Sequence, residues 1–224
     1  MAFLLLLLML TACAAVPQDL SGKMFTFPQQ TNTAHARLNT LIEDFGAITV
    51  CLRSFTDLRR THSLFSLATN STDNGFLIFK TATSDRVDVY ARNGVAQFSG
   101  QDYLLNTWNS LCATWDSENG LVQLWLNGKP TVRKFVSAGS NISEHTVILG
   151  LEQDSCGGLF HSSQSFIDMV CDVHMWNYVL SPYEIHRYSD DLNFTPGNVL
   201  NWRSLAFETV GRVLVENKQM ICSH

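Results

Sequence analysis

Long apolar runs are almost absent from this 224-residue chain. Beyond the first fifteen residues, no stretch approaches the roughly 20 apolar residues that a membrane-spanning helix needs. Charged residues are also scarce, at 16% of the chain, with a net charge of −5, a pI of about 5.7 and no basic patch. These absences argue against a transmembrane protein and against a surface for nucleic acid or anionic lipid. Internal repeats and low-complexity linkers are lacking too, which excludes solenoids and long disordered tails.

Catalytic motifs are missing as well. Neither G-x-S-x-G nor H-E-x-x-H occurs in the sequence, so two common hydrolase signatures are absent. The pair Glu152-x-Asp154 has the start of the alternating acids of a jelly-roll glycosidase, but the next alternate position is Cys156. We therefore expect a protein that is not an enzyme, with a jelly-roll glycosidase as an alternative.

The one long apolar run opens the chain. Residues 1–15, MAFLLLLLMLTACAA, combine that run with small residues at its end, as in a secretory signal peptide, although no Lys or Arg precedes it. We predict cleavage after Ala14 or Ala15. The mature protein is then one domain, residues 16–224, that is secreted and extracellular.

Short runs rich in β-branched and aromatic residues fill the mature chain, separated by turn residues, and predict an all-β sandwich. Asn127-Gly128 is the clearest turn, because a type I′ hairpin needs positive φ at both central positions. One helix is predicted from Ser181 to about Tyr188, where Ser181, Pro182 and Glu184 have the spacing of a capping box. The predicted strands are residues 47–55, 64–69, 76–79, 86–90, 121–126, 131–136, 146–151 and 172–176.

The cysteines are typical of an exported protein. Cys51 and Cys112 lie in strand-like segments, where a disulfide between two sheets could staple the core. Cys13 leaves with the signal peptide, and the remaining three are Cys156, Cys171 and Cys222. The sequence does not decide the connectivity of this odd set, and Cys222 near the end of the chain is our candidate for an intermolecular bond.

Three sequons, at Asn70, Asn141 and Asn193, predict N-linked glycosylation of an exported chain. Pro196 follows the third sequon and makes its use the least expected of the three. An unmodified loop asparagine is the alternative for each.

The segment 151–165, LEQDSCGGLFHSSQS, places carboxylate and amide side chains around a glycine pair. Calcium takes six to eight oxygen ligands, and a Gly-Gly turn lets a loop fold its oxygens toward one point. Glu152, Asp154 and Gln164 therefore predict a cation-binding loop. A solvated surface loop is the alternative on composition alone.

Several motifs occur together and in order over the mature chain. They are FTFP at 25–28, LCATWDS at 111–117, EQDS at 152–155, SQS at 163–165, MW at 175–176, LSPYEI at 180–185 and NVLNW at 198–202. In this combination the chain resembles the short pentraxin family. One departure is Ser110, which stands where the family signature H-x-C-x-[ST]-W-x-[ST] begins with histidine.

The resemblance implies a two-sheet antiparallel jelly-roll sandwich, lectin-like, with one helix on one face, assembled into a ring of usually five subunits. It implies calcium ions bridged by phosphocholine, phosphate or carbohydrate ligands, and a helix-bearing face that engages complement and Fc-receptor proteins. The function expected is acute-phase recognition of microbial or damaged-cell surfaces in innate immunity. A laminin-G-like adhesion module is the alternative that shares the sandwich.

The resemblance also assigns residues. Phe79 and Tyr90 match the apolar pocket beside the ions, where an aromatic face can attract a quaternary ammonium. His161 stands where the family places a carboxylate for the second calcium, and imidazole is a poor ligand for a hard cation. We therefore expect one calcium and leave the second in question. The matching calcium ligands are Asp73, Asn74, Glu152, the backbone carbonyl of Gln153, Asp154 and Gln164.

Overall fold

The computed structural model describes residues 15–83 and 85–219. The predicted signal peptide up to residue 14, Cys13 and Cys222 lie outside the described residues. Within them the chain forms seventeen strands, one α-helix and two 3-10 turns. The helix α1 is Pro182–Ser189, and the 3-10 turns are Ser162–Gln164 and Trp202–Ser204. The strands are β1 (Lys23–Phe27), β2 (His35–Asn39), β3 (Asp44–Phe45), β4 (Ala47–Phe55), β5 (His62–Thr69), β6 (Thr72–Lys80), β7 (Val87–Ala91), β8 (Gly94–Phe98), β9 (Asn109–Asp116), β10 (Leu121–Leu126), β11 (Lys129–Pro130), β12 (Lys134–Phe135), β13 (Ile142–Ser143), β14 (His145–Leu149), β15 (Asp168–Trp176), β16 (Ala206–Val210) and β17 (Leu214–Asn217).

The strands pair antiparallel in two large sheets, and the predicted sandwich is confirmed. One sheet has eight strands in the order β11-β10-β9-β4-β15-β1-β17, with β12 also pairing with β10. The other has seven in the order β16-β2-β14-β5-β6-β7-β8, and β3 and β13 form a short separate ladder. Among the described residues, no helix has the length and hydropathy that crossing a membrane requires.

The core lies between the two sheets because side chains alternate along each strand. In β6, Phe76 and Ile78 point into the core, while Leu77 and Phe79 belong to the outer face. In β7, Val89 points inward and its neighbours outward. Each sheet therefore has an outer face, and these two faces carry different structures.

Helix α1 covers the outer face of the eight-stranded sheet, where Ile185 and Tyr188 are buried. Ser181 Oγ accepts the Glu184 N–H at 3.3 Å, as the capping box predicts. The Glu184 carboxylate does not complete the box. It accepts instead from the Thr195 N–H at 2.9 Å and holds the segment that follows the helix.

The disulfide between Cys51 and Cys112 is confirmed. Our expectation that it joins two sheets is wrong, because β4 and β9 are neighbours in one sheet and the register places the two cysteines directly opposite each other. Both sulfurs belong to the apolar cluster beneath α1. The bond therefore reinforces the sheet that carries the helix. Cys156 and Cys171 form no disulfide within the described residues.

The Asn127-Gly128 hairpin is confirmed, with φ of 50° and 76°. The strand predicted over residues 131–136 is wrong in extent, because β11 ends at Pro130 and within the predicted range only the two residues of β12 pair with β10. Pro130 lacks an N–H to donate, and after it the Thr131 N–H reaches the Leu124 carbonyl at 2.9 Å before pairing stops. Strands that were not among the predicted ranges include β1, β2, β8, β16 and β17 at or near the sheet edges, and β9 inside the eight-stranded sheet.

Candidate metal centre

Residues 150–166 form a loop beside the outer face of the seven-stranded sheet, opposite the helix. The Phe166 N–H donates to the Gly150 carbonyl at 2.8 Å, which brings the loop's ends together. Gly150 has φ of +93°, and a Cβ there would collide with the Phe27 ring. Only glycine therefore fits at this junction, and the segment is a compact Ω-loop.

Gln153 anchors the loop to the sheet. Its side chain is fully buried, and its Nε2 lies 3.1 Å from the Ser66 carbonyl, 3.2 Å from Ser66 Oγ and 3.1 Å from the Thr146 carbonyl. Its Oε1 accepts the Gly157 N–H at 2.8 Å. The side-chain amide is thus used by the scaffold, which leaves the backbone carbonyl as the group that Gln153 can offer to an ion.

Arg60 fixes the far end of the loop. Its guanidinium donates to the carbonyls of Ser163 at 3.1 Å and Ser165 at 2.6 Å. These two carbonyls flank Gln164 in the chain. The orientation of the Gln164 segment therefore depends on a residue of the β4–β5 connection.

Asp73 and Asn74 come from a second, distant segment at the start of β6. The Asn74 N–H donates to Asn93 Oδ1 at 2.9 Å, and the Asn93 N–H returns to the Asn74 carbonyl at 2.9 Å. This pair of bonds uses the backbone of Asn74 and leaves its side-chain oxygen free. Asn93, in the β7–β8 turn, has positive φ of 64°.

Four of the predicted ligands present a buried side-chain oxygen without a hydrogen-bond partner. Elsewhere among the described residues, no other carboxylate or amide oxygen is buried and unpartnered. Buried polar atoms are nearly always hydrogen-bonded, so this set calls for a further partner; of the four oxygens, only that of Asp154 has an ion-pair contact within the described part of the chain, with His161. The atoms are Asn74 Oδ1, Glu152 Oε2, Asp154 Oδ2 and Gln164 Oε1.

The electrostatics of the loop also favour a bound cation. Burial, followed by the negative charges of Asp154 and Asp73, raises the pKa of Glu152 to about 7. Three carboxylates from two segments thus repel one another within interaction range, and Glu152 is only 4% exposed. A bound cation would relieve this repulsion, because an opposite charge favours the ionised form.

His161 occupies the side of the site near Asp154. Its Nε2 lies 3.2 Å from Asp154 Oδ2, within ion-pair distance but without the geometry of a hydrogen bond. Its side chain is 66% exposed. The imidazole therefore lies beside a carboxylate oxygen that the resemblance assigns as a calcium ligand.

The donor set fits calcium better than a transition metal. Among residues 15–83 and 85–219, no group of three His, Cys, Asp or Glu side chains gathers as a metal cluster by itself. An ion here would need the amide oxygens and the Gln153 carbonyl in addition to the carboxylates. Such mixed oxygen ligation is typical of calcium.

The predicted pocket residues lie next to this site. Phe79 and Tyr90 share the outer face of β6 and β7, and the register pairs Phe79 with Asp88 and Leu77 with Tyr90. The two rings are therefore diagonal neighbours, and both are half-buried. Burial, with smaller contributions from the charges of Asp88 and Glu152, raises the pKa of Tyr90.

Asp88 is the carboxylate of this pocket, and it is already paired. Arg86 Nε and Nη2 donate to its two oxygens at 2.7 and 2.6 Å. Val95, opposite Tyr90 in β8, contributes no charge. The pocket thus offers aromatic surface and no free carboxylate to a cationic ligand group.

Comparison with known proteins identifies the family and fold that contain these residues. A model of the pentaxin family matches residues 23–217. The chain belongs to the pentaxin family. It is 37% identical over 219 residues to the C-reactive protein of Sus scrofa, covering 95% of each chain, and 36% identical over 201 residues to the serum amyloid P-component of Rattus norvegicus, covering 88% of this chain and 86% of that one. The crystal structure of the heptameric SAP-like pentraxin of Limulus polyphemus has a TM-score of 0.83 at 26% identity, covering 92% of this chain and 99% of that one.

Membership of the pentaxin family confirms the predicted family and, with the structural likeness, the lectin-like jelly roll. The scaffold residues of the site were not predicted. Ser66, Arg60 and Asn93 hold ligands in place without contributing to them, and they belong to no motif that sequence spacing distinguishes. Every residue of β5 around Ser66 is buried. A serine in such a strand needs a hydrogen-bond partner within the protein, and this is the only signal that could have pointed to Ser66.

All three predicted glycosylation sites are exposed. Asn70 lies in the turn between β5 and β6, and Asn141 directly precedes β13. Asn193 lies beyond α1, where its carbonyl accepts from Arg187. The first sequon is thus on the hairpin that carries Asp73, and the third is on the helix-bearing face.

Proposed function

We propose that this pentaxin is a secreted, calcium-dependent pattern-recognition protein of innate immunity, which acts by multivalent binding and not by catalysis. The observation that carries the proposal is the set of four buried, unpartnered oxygens on two segments far apart in sequence. Relatives named C-reactive protein and serum amyloid P-component support the same reading.

The residues that would hold one calcium are Asp73, Asn74, Glu152, Asp154 and the carbonyl of Gln153. Bound calcium supplies positive charge and open coordination positions for an anionic ligand. The chain's own residues orient the donors: Ser66 holds Gln153, and Asn93 holds Asn74. A phosphate or carboxylate group then binds at a face that the three carboxylates would otherwise repel.

The second position would have Gln164 and shared oxygens but not a carboxylate of its own, because His161 stands there. We expect the second calcium to bind weakly or not at all. The affinity for a ligand that bridges two ions falls accordingly. A ligand that uses one ion and a neighbouring contact is favoured.

Phosphocholine, phosphate and carbohydrate are the ligand classes that fit. For phosphocholine, the phosphate would bind the ion, and the ammonium group would lie against Phe79 and Tyr90. Aromatic faces contribute about 0.5–2 kcal/mol to such contacts. Asp88 does not pair with the ammonium group, since Arg86 occupies it.

The edges of the sandwich support assembly into a ring. Val132 and Phe135, at the β11–β12 edge, are 68% and 67% exposed, and Val210, Leu214 and Val215, at the β16–β17 edge, are 37–45% exposed. Apolar patches on opposite edges favour head-to-tail contacts between identical chains, which close into a ring when the rotation permits. We propose a homo-oligomeric ring, pentameric by resemblance; a heptameric relative is known.

A ring places every candidate site on one face and every helix on the other. Repetition of a weak site raises avidity for a repetitive surface without new contacts. The helix-bearing face remains free for complement and Fc-receptor proteins, the partners that the resemblance implies. This division of faces suits an acute-phase recognition role.

Retention on phosphocholine-agarose beads in calcium, and release by a chelator, tests the proposal. Calcium-dependent retention is expected. Turnover of polysaccharide without calcium would favour a glycosidase instead, and a chain that stays monomeric in physiological calcium would favour a laminin-G-like module.

A further inference from the structure

The sequon Asn70-Ser71-Thr72 forms the tip of the hairpin that carries two of the proposed calcium ligands. Asn70 and Ser71 are the turn between β5 and β6, and Thr72 is the first residue of β6. Asp73 is three positions after Asn70. An extended chain covers about 3.3–3.6 Å per residue, so the two Cα atoms are at most roughly 11 Å apart.

The Asn70 side chain is free to carry a bulky group. It is exposed, and its amide nitrogen has one weak contact, at 3.4 Å, with Glu144 Oε2 on a neighbouring turn. An N-linked glycan is large and hydrated, and here it would stand beside the ion-binding face and not over the core.

We propose that a glycan on Asn70 stands at the rim of the calcium face and selects ligands by their presentation: small or flexibly tethered phosphate-bearing ligands enter, and densely packed surface groups are held away. This inference rests on the proposed calcium-dependent function. Multivalent binding needs several sites of one ring to reach the surface at once, and a bulky group at each rim opposes that approach.

The other sequons are placed differently. The Asn141 side chain donates to Asp44 Oδ2 at 2.8 Å, and this bond holds it against the β3–β13 ladder. Asn193 lies on the helix-bearing face, away from the candidate site. Where glycopeptide mass spectrometry finds Asn193 occupied, removal of that glycan is the matched control for mass and solubility, and Thr72→Ser is the control in either case.

The test compares glycan occupancy with two modes of binding. Thr72→Ala removes the sequon but keeps the Asn70 side chain, whereas Thr72→Ser keeps the sequon and Asn70. Asn70→Gln and Asn193→Gln each remove one glycan acceptor. Glycopeptide mass spectrometry reads occupancy. Calorimetry with free phosphocholine reads the single site, and retention on agarose beads with a high density of phosphocholine reads avidity.

We expect glycan on Asn70, unchanged affinity for free phosphocholine in all four variants, and retention on dense beads that rises on the order of tenfold for Asn70→Gln and Thr72→Ala only. An unoccupied Asn70, or equal bead retention of Asn70→Gln and the unaltered chain while free phosphocholine still binds, overturns the inference alone. If no variant binds free phosphocholine in calcium, the proposed function fails and this inference fails with it.

Discussion

His161 Nε2 lies 3.2 Å from Asp154 Oδ2. The contact places an imidazole beside a carboxylate that the family resemblance assigns as a calcium ligand. Because imidazole suits borderline metals better than calcium, the second of the two proposed calcium positions lacks a carboxylate of its own. The calcium stoichiometry of the proposed site is therefore expected to depend on this one side chain.

His161→Glu is expected to raise the calcium stoichiometry from one to two ions per chain. The substitution supplies the missing carboxylate between Asp154 and Gln164, and oxygen donors are what calcium prefers. Isothermal titration calorimetry counts the ions directly. His186→Glu, an exposed histidine on the helix-bearing face, serves as the control and keeps one ion. Two ions in the unaltered chain would contradict this assignment.

Ser66→Ala is expected to destabilise the fold by about 1–3 kcal/mol and to weaken calcium binding, because it leaves the buried Gln153 N–H without its acceptor. Urea denaturation and calcium titration measure the two effects. Ser63→Ala is a matched control in the same strand, since Ser63 Oγ is buried and has no partner to lose. Equal destabilisation by both substitutions would argue that Ser66 does not anchor the loop.

The sequence predicts the sandwich well because the β-branched and aromatic runs alternate, and the Asn127-Gly128 turn needs no tertiary contact to be recognised. Glu152 and Asp154 can also be predicted from the sequence, since closely spaced acids followed by a glycine pair are typical of a cation-binding loop. The residues that position the loop cannot be predicted from the sequence. Arg60 contacts Ser165, which is 105 positions away, and Ser66 contacts Gln153, which is 87 positions away. Local sequence patterns do not encode such pairings. The sheet partners of Cys51 and Cys112 were misjudged for the same reason.

Protonation of His174 is expected to destabilise the folded protein as the pH falls from 7 toward 4. Burial lowers the pKa of His174 to about 4, and neutral His174 Nδ1 accepts the Gly197 N–H at 3.3 Å. The unfolded chain, with an ordinary histidine pKa near 6.5, binds the proton more readily in this window, so protonation favours unfolding by up to about 3 kcal/mol.

Urea denaturation at several pH values measures this slope. His174→Gln keeps an acceptor for the Gly197 N–H but does not titrate, so its stability should fall less between pH 7 and 4. His62, whose pKa burial also lowers to about 4, titrates in both proteins and cancels in the comparison. Parallel curves for the two proteins would show that His174 does not contribute.

Val132→Glu is expected to dissociate the proposed ring into single chains in sedimentation velocity, while each chain still binds calcium. The substitution places a charge in the apolar patch at the β11–β12 edge. Tyr183→Glu is the control, because Tyr183 is 66% exposed against 68% for Val132 but lies on helix α1. Loss of calcium binding together with the ring would indicate unfolding and count against the edge contact.

The most direct test of the calcium site is calorimetric titration of calcium into the unaltered chain and into Asp154→Ala. The account predicts binding of one calcium per chain that Asp154→Ala abolishes, with secretion and assembly unchanged. Calcium binding that is identical in the two proteins, or absent from both, would contradict it.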